Sequence, residues 1–202
     1  MKKLLVGCEF TQEVTAAFRA VGVCAFSCDL AAGEKNEAWH IKGDLSELLE
    51  NSKEWAGLIA FPPCTHLTQS GGRYFEEKSK DGRMLAGFTF FEKCLNASIP
   101  LRAVENPLGV VSSQRLLNRY LSGRTAYPYS QIFSWEQFGD ERKKRTCLWL
   151  RGLPVILPEF AARPGRTWLE KVPQVAGRGS IRSRMSPYIA AAMAHQWGEY
   201  FK

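Results

Sequence analysis

A chain of 202 residues, 45% hydrophobic and 12% aromatic, fits one globular domain with a sizeable core and does not fit a disordered segment. Its net charge of +7 and pI near 9.2 are compatible with a polyanionic partner but do not identify one. No window approaches ~18 consecutive apolar residues, which argues against a membrane span. The basic opening MKKLLVGCEF precedes an apolar run too short for a signal segment, so it reads as the first strand of a cytosolic (cytoplasmic) protein.

Taken in chain order, strand-like runs at 3–8, 23–28, 57–61 and 101–104 alternate with helical patterns at 12–20, 45–51, 84–96 and 112–121. The helix beginning at Met84 carries Met84, Leu85, Phe88, Phe91 and Leu95 near a 3.6-residue period, and Asp44 stands at the N-cap position of the helix at 45–51. This alternation predicts an α/β fold with a mainly parallel sheet and helices on both faces. Two further strands, 127–138 and 146–150, read as an antiparallel pair at a sheet edge. Residues 152–180, rich in Pro, Gly and Arg, read as an irregular segment, and Pro187 opens a last helix reaching residue 200. The organisation is a core at 1–151, the irregular segment at 152–180 and a closing helical segment at 181–202.

Ligands of open α/β sheets bind at the carboxyl ends of the strands. Here those ends present Cys8-Glu9-Phe10, Asp29, Pro62-Pro63-Cys64 and Glu105-Asn106-Pro107. An acid after the second strand suits ribose hydroxyls. The first turn, GCEFTQEV, lacks GxGxxG, which points to a nucleoside rather than a dinucleotide cofactor. The six cysteines, Cys8, Cys24, Cys28, Cys64, Cys94 and Cys147, are spread singly and, with three histidines, form no metal-site spacing. Without a secretory signal they also form no disulfide framework, and most read as small buried apolar residues. Cys64, placed after two prolines at a strand end, fits a core residue, a metal ligand, a disulfide partner or a nucleophile. The basic run Arg142, Lys143, Lys144 and Arg145 is either a solvated loop or a phosphate contact.

Six phrases in order, Cys8-Glu9-Phe10, 27–30 (SCDL), 62–73 (PPCTHLTQSGGR), 103–107 (AVENP), 146–150 (TCLWL) and 182–197 (RSRMSPYIAAAMAHQW), make the chain resemble the cytosine-5 DNA methyltransferases, and most of all their short, phage-associated members. The resemblance implies a Rossmann-like methyltransferase fold, S-adenosylmethionine as cofactor, and transfer of a methyl group to cytosine. It assigns Cys64 as the nucleophile that adds to C6, Glu105 as the acid facing N3, and Arg145 as a cation holding the target, with Lys143 as a second. Cytosine C5 is a poor nucleophile, so the ring needs a thiolate at C6 and an acid at its N3 edge. Pro63, Asn106 and Arg73 fall in the implied substrate site, with Gly71, Gly72 and Arg73 in a lid, and Arg73 and His66 near enough in sequence to influence the thiol. On the cofactor side the resemblance implies the backbone of Cys8, Glu9, Phe10 and Thr11 along the methionine part, Phe10 near the adenine, Asp29 near the ribose, Asp44 near the adenine amine, and Pro62. The Phe-x-Gly-x-Gly-Gly core of larger members is replaced here, with Glu9 and Thr11 intruding.

Larger members insert a target-recognition domain where this chain has only the segment around 152–181. That implies low sequence specificity, a protein partner for targeting, or a smaller substrate, because base flipping is normally offset by groove contacts. Arg163, Arg166, Lys171 and Arg178 remain as phosphate contacts for either substrate. Three functions therefore stand at this point: cytosine C5 methylation in DNA, C5 modification of a free cytidine deoxynucleotide, or an inactive cofactor- or DNA-binding homologue. The Asn/Asp-Pro-Pro-aromatic signature of amino-group methyltransferases is absent.

Overall fold

In the computed structural model, which describes residues 2–158 and 184–202, the chain runs through β1 (Lys3–Gly7), α1 (Glu13–Ala20), β2 (Cys24–Asp29), β3 (His40–Lys42), α2 (Leu45–Glu50) and β4 (Trp55–Ala60). It continues with α3 (Phe75–Lys80), α4 (Arg83–Leu95), β5 (Leu101–Asn106), α5 (Gln114–Tyr120), β6 (Gln131–Ser134), β7 (Arg145–Arg151) and α6 (Pro187–Trp197). The strands form a single seven-stranded sheet in the order β3-β2-β1-β4-β5-β7-β6. The first five are parallel, whereas β7 lies antiparallel to both β5 and β6. This is the α/β fold expected from the sequence, a mainly parallel sheet with helices on both faces, with a reversed strand inserted at one side.

Successive residues of a strand face opposite ways, and the central strands are apolar on both faces because both are covered. Leu4 and Val6 of β1, Ile59 of β4, Ala103 of β5 and Leu148 of β7 pack with Val14 and Phe18 of α1 and with Ile189, Met193 and Trp197 of α6. Leu5, Leu58, Val104 and Trp149 point to the other face. There they meet Leu45 and Leu49 of α2, Met84, Phe88 and Phe91 of α4, and Leu117 of α5. Of the stripe read from its periodicity, Met84, Phe88 and Phe91 of α4 are buried; Leu85 is exposed, Leu95 half-buried, and Cys94 completes the buried face instead. Asp44 caps α2 by accepting from the Ser46 N–H at 2.8 Å.

Four elements depart from the sequence reading. β3 is too short to show a period, and α3 (FEEKSK) buries only Phe75 and Lys78, so neither carries a legible pattern. The strand expected over 127–138 pairs only at Gln131–Ser134. There the Gln137 side chain takes the Ser134 N–H, and Trp135 and Phe138, three apart, are buried together by a 3-10 turn. β5, in contrast, runs two residues past the expected end and includes Glu105 and Asn106. Among the described residues no helix is long and apolar enough to cross a membrane. Residues 159–183, which hold most of the expected irregular segment with Arg163, Arg166, Lys171 and Arg178, lie outside the described residues.

One close approach fixes the middle of the sheet. The ring of Phe201, itself 5.7 Å edge-on from Phe18, lies over Gly57 of β4 so closely that an added Cβ would stand 2.1 Å from its Cε1. A buried aromatic ring cannot swing away as a flexible chain end can. Gly57→Ala is therefore expected to cost roughly 1–3 kcal/mol by overpacking. In thermal unfolding that corresponds to a midpoint lowered by about 2–4 °C per kcal/mol for a domain of this size.

Candidate active site

β4 and β5 are adjacent and parallel, so the residues just after Ala60 and the last residues of β5 share one edge of the sheet. Pro62 is buried, Pro63 exposed and Cys64 half-buried. The carbonyl of Cys64 accepts from the N–H groups of Leu67 and Thr68, both at 2.9 Å, which closes a tight turn immediately after the cysteine. Three links hold that turn to the end of β5. The fully buried Asn106 donates from Nδ2 to the Pro62 carbonyl at 3.0 Å. Gln69 N–H donates to the Leu108 carbonyl at 3.1 Å, and Val110 N–H to the Leu67 carbonyl at 2.8 Å. Gly109 sits in the seam, where a Cβ would stand 2.0 Å from the Leu67 carbonyl oxygen. Cys64, Glu105 and Asn106 are thus brought to one place.

Glu105 is 6% exposed and accepts from the Thr146 hydroxyl of β7. Lys144 Nζ lies 4.0 Å from the same carboxylate and 4.3 Å from the ring of the buried Trp135. Burial, and after it the charge of Glu105, pushes the Cys147 thiol up to about 12. Arg142 is bound to Asp140 through Nε at 2.9 Å and Nη2 at 2.6 Å. Lys143 and Arg145 are exposed. Arg145 lines a shallow cavity of about 250 Å³ together with Phe133, Glu136 and Gln137. The basic run is therefore not one patch: Arg142 and Lys144 turn inward as supports, and Lys143 and Arg145 stand outward. From sequence, Lys144 was read only as part of the basic run and Thr146 only as part of a strand; their contact with Glu105 is not legible, since Glu105 lies 41 residues away from Thr146.

In the turn between β1 and α1 the chain is strained. Cys8 and Gln12 both adopt left-handed backbone (φ 59° and 56°), which non-glycine residues rarely do without a local cause. Between them, the Glu9 side chain turns inward and caps α1, accepting from Val14 N–H, from Thr15 N–H at 3.1 Å and from the Thr15 hydroxyl at 2.7 Å. Gln12 clamps the facing loop by accepting from the N–H groups of Lys35 and Asn36 at 2.8 and 2.9 Å. With the loop held this way, no partner for the N–H groups of Phe10, Thr11 and Gln12 is found among the described residues. Phe10 lies under the Arg184 guanidinium at 5.8 Å, and Arg184 pairs with Glu34 at 2.6 and 2.7 Å.

Asp29 accepts from Ala31 N–H at 2.9 Å through Oδ1. Burial, then Cys94, Asp29, Cys28 and Asp44, raises the Cys8 thiol strongly, so these groups share one neighbourhood. The unpaired amides, Phe10 and the Asp29 carboxylate fit a nucleoside-bearing cofactor with an anionic tail. Asp44 is exposed and employed as a helix cap, the Glu9 side chain is taken up by α1, and the Glu9 N–H is bonded to the Cys28 carbonyl at 3.1 Å.

Gly71, Gly72 and Arg73, expected in a lid, lie on a 3-10 helix, Gln69–Tyr74, that leads into α3. Arg73 stacks over the Tyr74 ring at 4.7 Å. Lys78 of α3 is 7% exposed and donates from Nζ to the Thr65 carbonyl at 2.7 Å, next to Cys64. His66 Nδ1 is buried without a partner among the described residues, and burial, then the charges of Lys78 and Arg83, lowers its pKa. Among the described residues no group of three or more His, Cys, Asp or Glu could hold a metal ion.

No family model matches the chain, and no curated protein matches it. Among solved structures the chain is similar to a putative DNA modification methyltransferase encoded within a prophage of E. coli (TM-score 0.48, 11% identity, 80% of this chain and 52% of that one). It is also similar to the Entamoeba histolytica methyltransferase EhMeth (TM-score 0.45, 12% identity, 87% and 61%) and to the S. pombe Dnmt2 methyltransferase (TM-score 0.43, 14% identity, 88% and 56%). The chain thus spans between about half and three-fifths of the length of these structures.

The buried cap at Glu9 generates a pH prediction. Burial raises its carboxyl from 4.5 to about 7, against the hydrogen bonds from Thr15 and Val14 that lower it. A carboxyl raised on folding stabilises the protonated protein below pH 4.5, and that contribution is lost as pH rises through 7. The wild-type chain should therefore weaken by on the order of 3 kcal/mol between these limits from this group alone. Glu9→Gln should flatten that part of the stability-versus-pH curve, measured by denaturant unfolding across the range.

Proposed function

We infer that the protein methylates C5 of cytosine in DNA through a covalent bond between Cys64 and C6. The observation that carries this reading is the Asn106–Pro62 link, which sets the cysteine turn after β4 against the acid at the end of β5. A pyrimidine lying between them would present C6 to the sulfur and its N3 edge to Glu105. The Cys64 thiolate adds to C6, and the electron pair displaced from the C5–C6 bond makes C5 nucleophilic while N3 gains electron density. Glu105 meets that edge with a proton, and Thr146 fixes the orientation of its carboxyl through Oε1. S-adenosylmethionine, when bound, supplies the electrophilic methyl group for C5. The amides of Phe10, Thr11 and Gln12 would hold its carboxylate, with Asp29 at the ribose and Phe10 beside the base. Once C5 is methylated, its proton passes to water, the N3 proton returns to Glu105, and the C5–H electron pair re-forms the C5–C6 double bond as Cys64 departs as the thiolate.

Arg145 and Lys143, outward-facing at the start of β7, suit the phosphates of the target strand. The nearest competing substrate is a free cytidine deoxynucleotide, and an inactive binding homologue is the third reading. The deciding experiment gives the full chain labelled S-adenosylmethionine with DNA containing 5-fluorocytosine, and separately with 5-fluoro-dCTP. The fluorine blocks the final elimination, so a trapped adduct on the Cys64 peptide with DNA alone supports the reading. An adduct with the nucleotide alone moves the substrate to that class, and no adduct with either, despite cofactor binding, would sink the catalytic reading. In the same assay Cys64→Ala should give no adduct and no methyl transfer. Glu105→Gln should keep cofactor affinity and lower the transfer rate by about 10²-fold or more, the usual range for a positioned acid.

A further inference from the structure

Lys78 is a buried cation with no carboxylate paired to it among the described residues. Its Nζ donates to the Thr65 carbonyl at 2.7 Å and stands 5.7 Å from the Tyr74 ring centroid. A Cβ on Gly71 would come within 3.3 Å of it, so the ammonium occupies the inside of the 64–71 loop, in the shell between the nucleophile's turn and α3. Neighbouring charges on α3 and the start of α4 pair with one another and leave Lys78 out: Lys80 with Glu76 at 3.0 Å, and Arg83 with Asp81 and Glu77. A buried charge without a counter-ion is costly, and a carbonyl dipole only partly offsets that cost. Such a cost is tolerated where an anion forms at the same place during function.

We propose that Lys78 is a positioning residue for Cys64: its ammonium fixes the turn through Thr65 and favours the thiolate form of the neighbouring sulfur. This rests on the reading of Cys64 as a nucleophile. Other charged or titratable groups around the turn include His66 on the turn itself, exposed Arg73 stacked on Tyr74, Asp81 and Arg83 at the junction of α3 and α4, and Glu105 at the end of β5. Burial and the adjacent Lys78 favour neutral His66, and Asp81 is already paired to Arg83; Lys78 is a buried cation whose ammonium is bonded to the turn itself. An opposite charge within about 4–6 Å of a titrating group depresses an acid's ionisation by about one pH unit or more.

The test needs neither cofactor nor DNA. The rate of iodoacetamide alkylation at the Cys64 peptide, read by mass spectrometry to separate it from the other cysteines, is followed from pH 5 to 10 in the wild type and in Lys78→Met and Lys78→Arg. The proposal expects the midpoint of the profile to rise and the rate at pH 7 to fall about tenfold in Lys78→Met, with Lys78→Arg recovering most of it. Should Lys78→Met fail to fold by circular dichroism, Lys78→Gln supplies the same comparison. An unchanged midpoint overturns the proposal, and so does a rate that changes equally at every pH, since that marks altered access alone. A Lys78-dependent profile in a protein that traps no fluorocytosine adduct would retire the methyl-transfer reading and leave this one standing. An adduct with a Lys78-independent profile would do the reverse.

Discussion

The amide of Asn106 spans the gap between two strand ends, and the arrangement of the site depends on that one reach. Its nitrogen binds the Pro62 carbonyl, so the proline pair cannot pivot, and the cysteine after it is carried to the edge where Glu105 emerges. Asn106 Oδ1 is buried without a partner among the described residues, so the side chain contributes a single directed bond in a place where an orphan acceptor is normally avoided. The backbone links at Leu67–Val110 and Gln69–Leu108 then extend the junction into a short seam that only a residue without a side chain, Gly109, can close. Rigidity here comes from two loops sharing bonds rather than from either loop alone.

Charge is distributed with the same economy. Glu9, Lys78, Glu105 and Asp140 are buried at or just beyond the carboxyl ends of the strands, while buried Arg102 stays near the start of β5, bound to the Ala97 and Ile99 carbonyls. Each of the four has a defined support: helix amides for Glu9, a carbonyl for Lys78, a hydroxyl and a lysine for Glu105, and an arginine for Asp140. The left-handed Cys8 and Gln12 lie in the same region. Polar burial and backbone strain therefore concentrate on the edge where α/β sheets bind ligands, and the opposite edge is conventional by comparison.

The parallel core was legible because its strands and helices are patterned by burial on both faces, as the Met84-to-Cys94 stripe of α4 illustrates. The order of residues at the strand ends was legible for the same reason: once the strands are placed, the residues after them are known. What resisted reading was anything set by contact across the chain. β3 and α3 exist because neighbours complete them, and 135–138 coils because Trp135 and Phe138 must be buried together. Lys78 was invisible as a site residue, since a lysine in FEEKSK gives no sign of turning inward, and Thr146 was known only as part of a strand. Glu9 was placed on the right loop, but its side chain proved to serve the helix behind it. The alternative role for Asp44, a helix cap, is the one the structure displays.

The reversal of β7 fixes where the chain has room to grow. Because β7 runs against β5, its first residues lie at the reactive edge and its last, Arg151 opposite Arg102, lie at the other end of the sheet. Gly152 accordingly packs against Pro100 and Leu101, and Ile156 is fastened to Gln131 at the beginning of β6. On the far side of residues 159–183, Arg184 stands beside Glu34 and its carbonyl accepts from Arg142, back at the reactive edge. Exit and re-entry are thus anchored separately, on opposite rims. The two flanks of residues 159–183 are therefore held by bonds separate from those that fix the turn carrying Cys64.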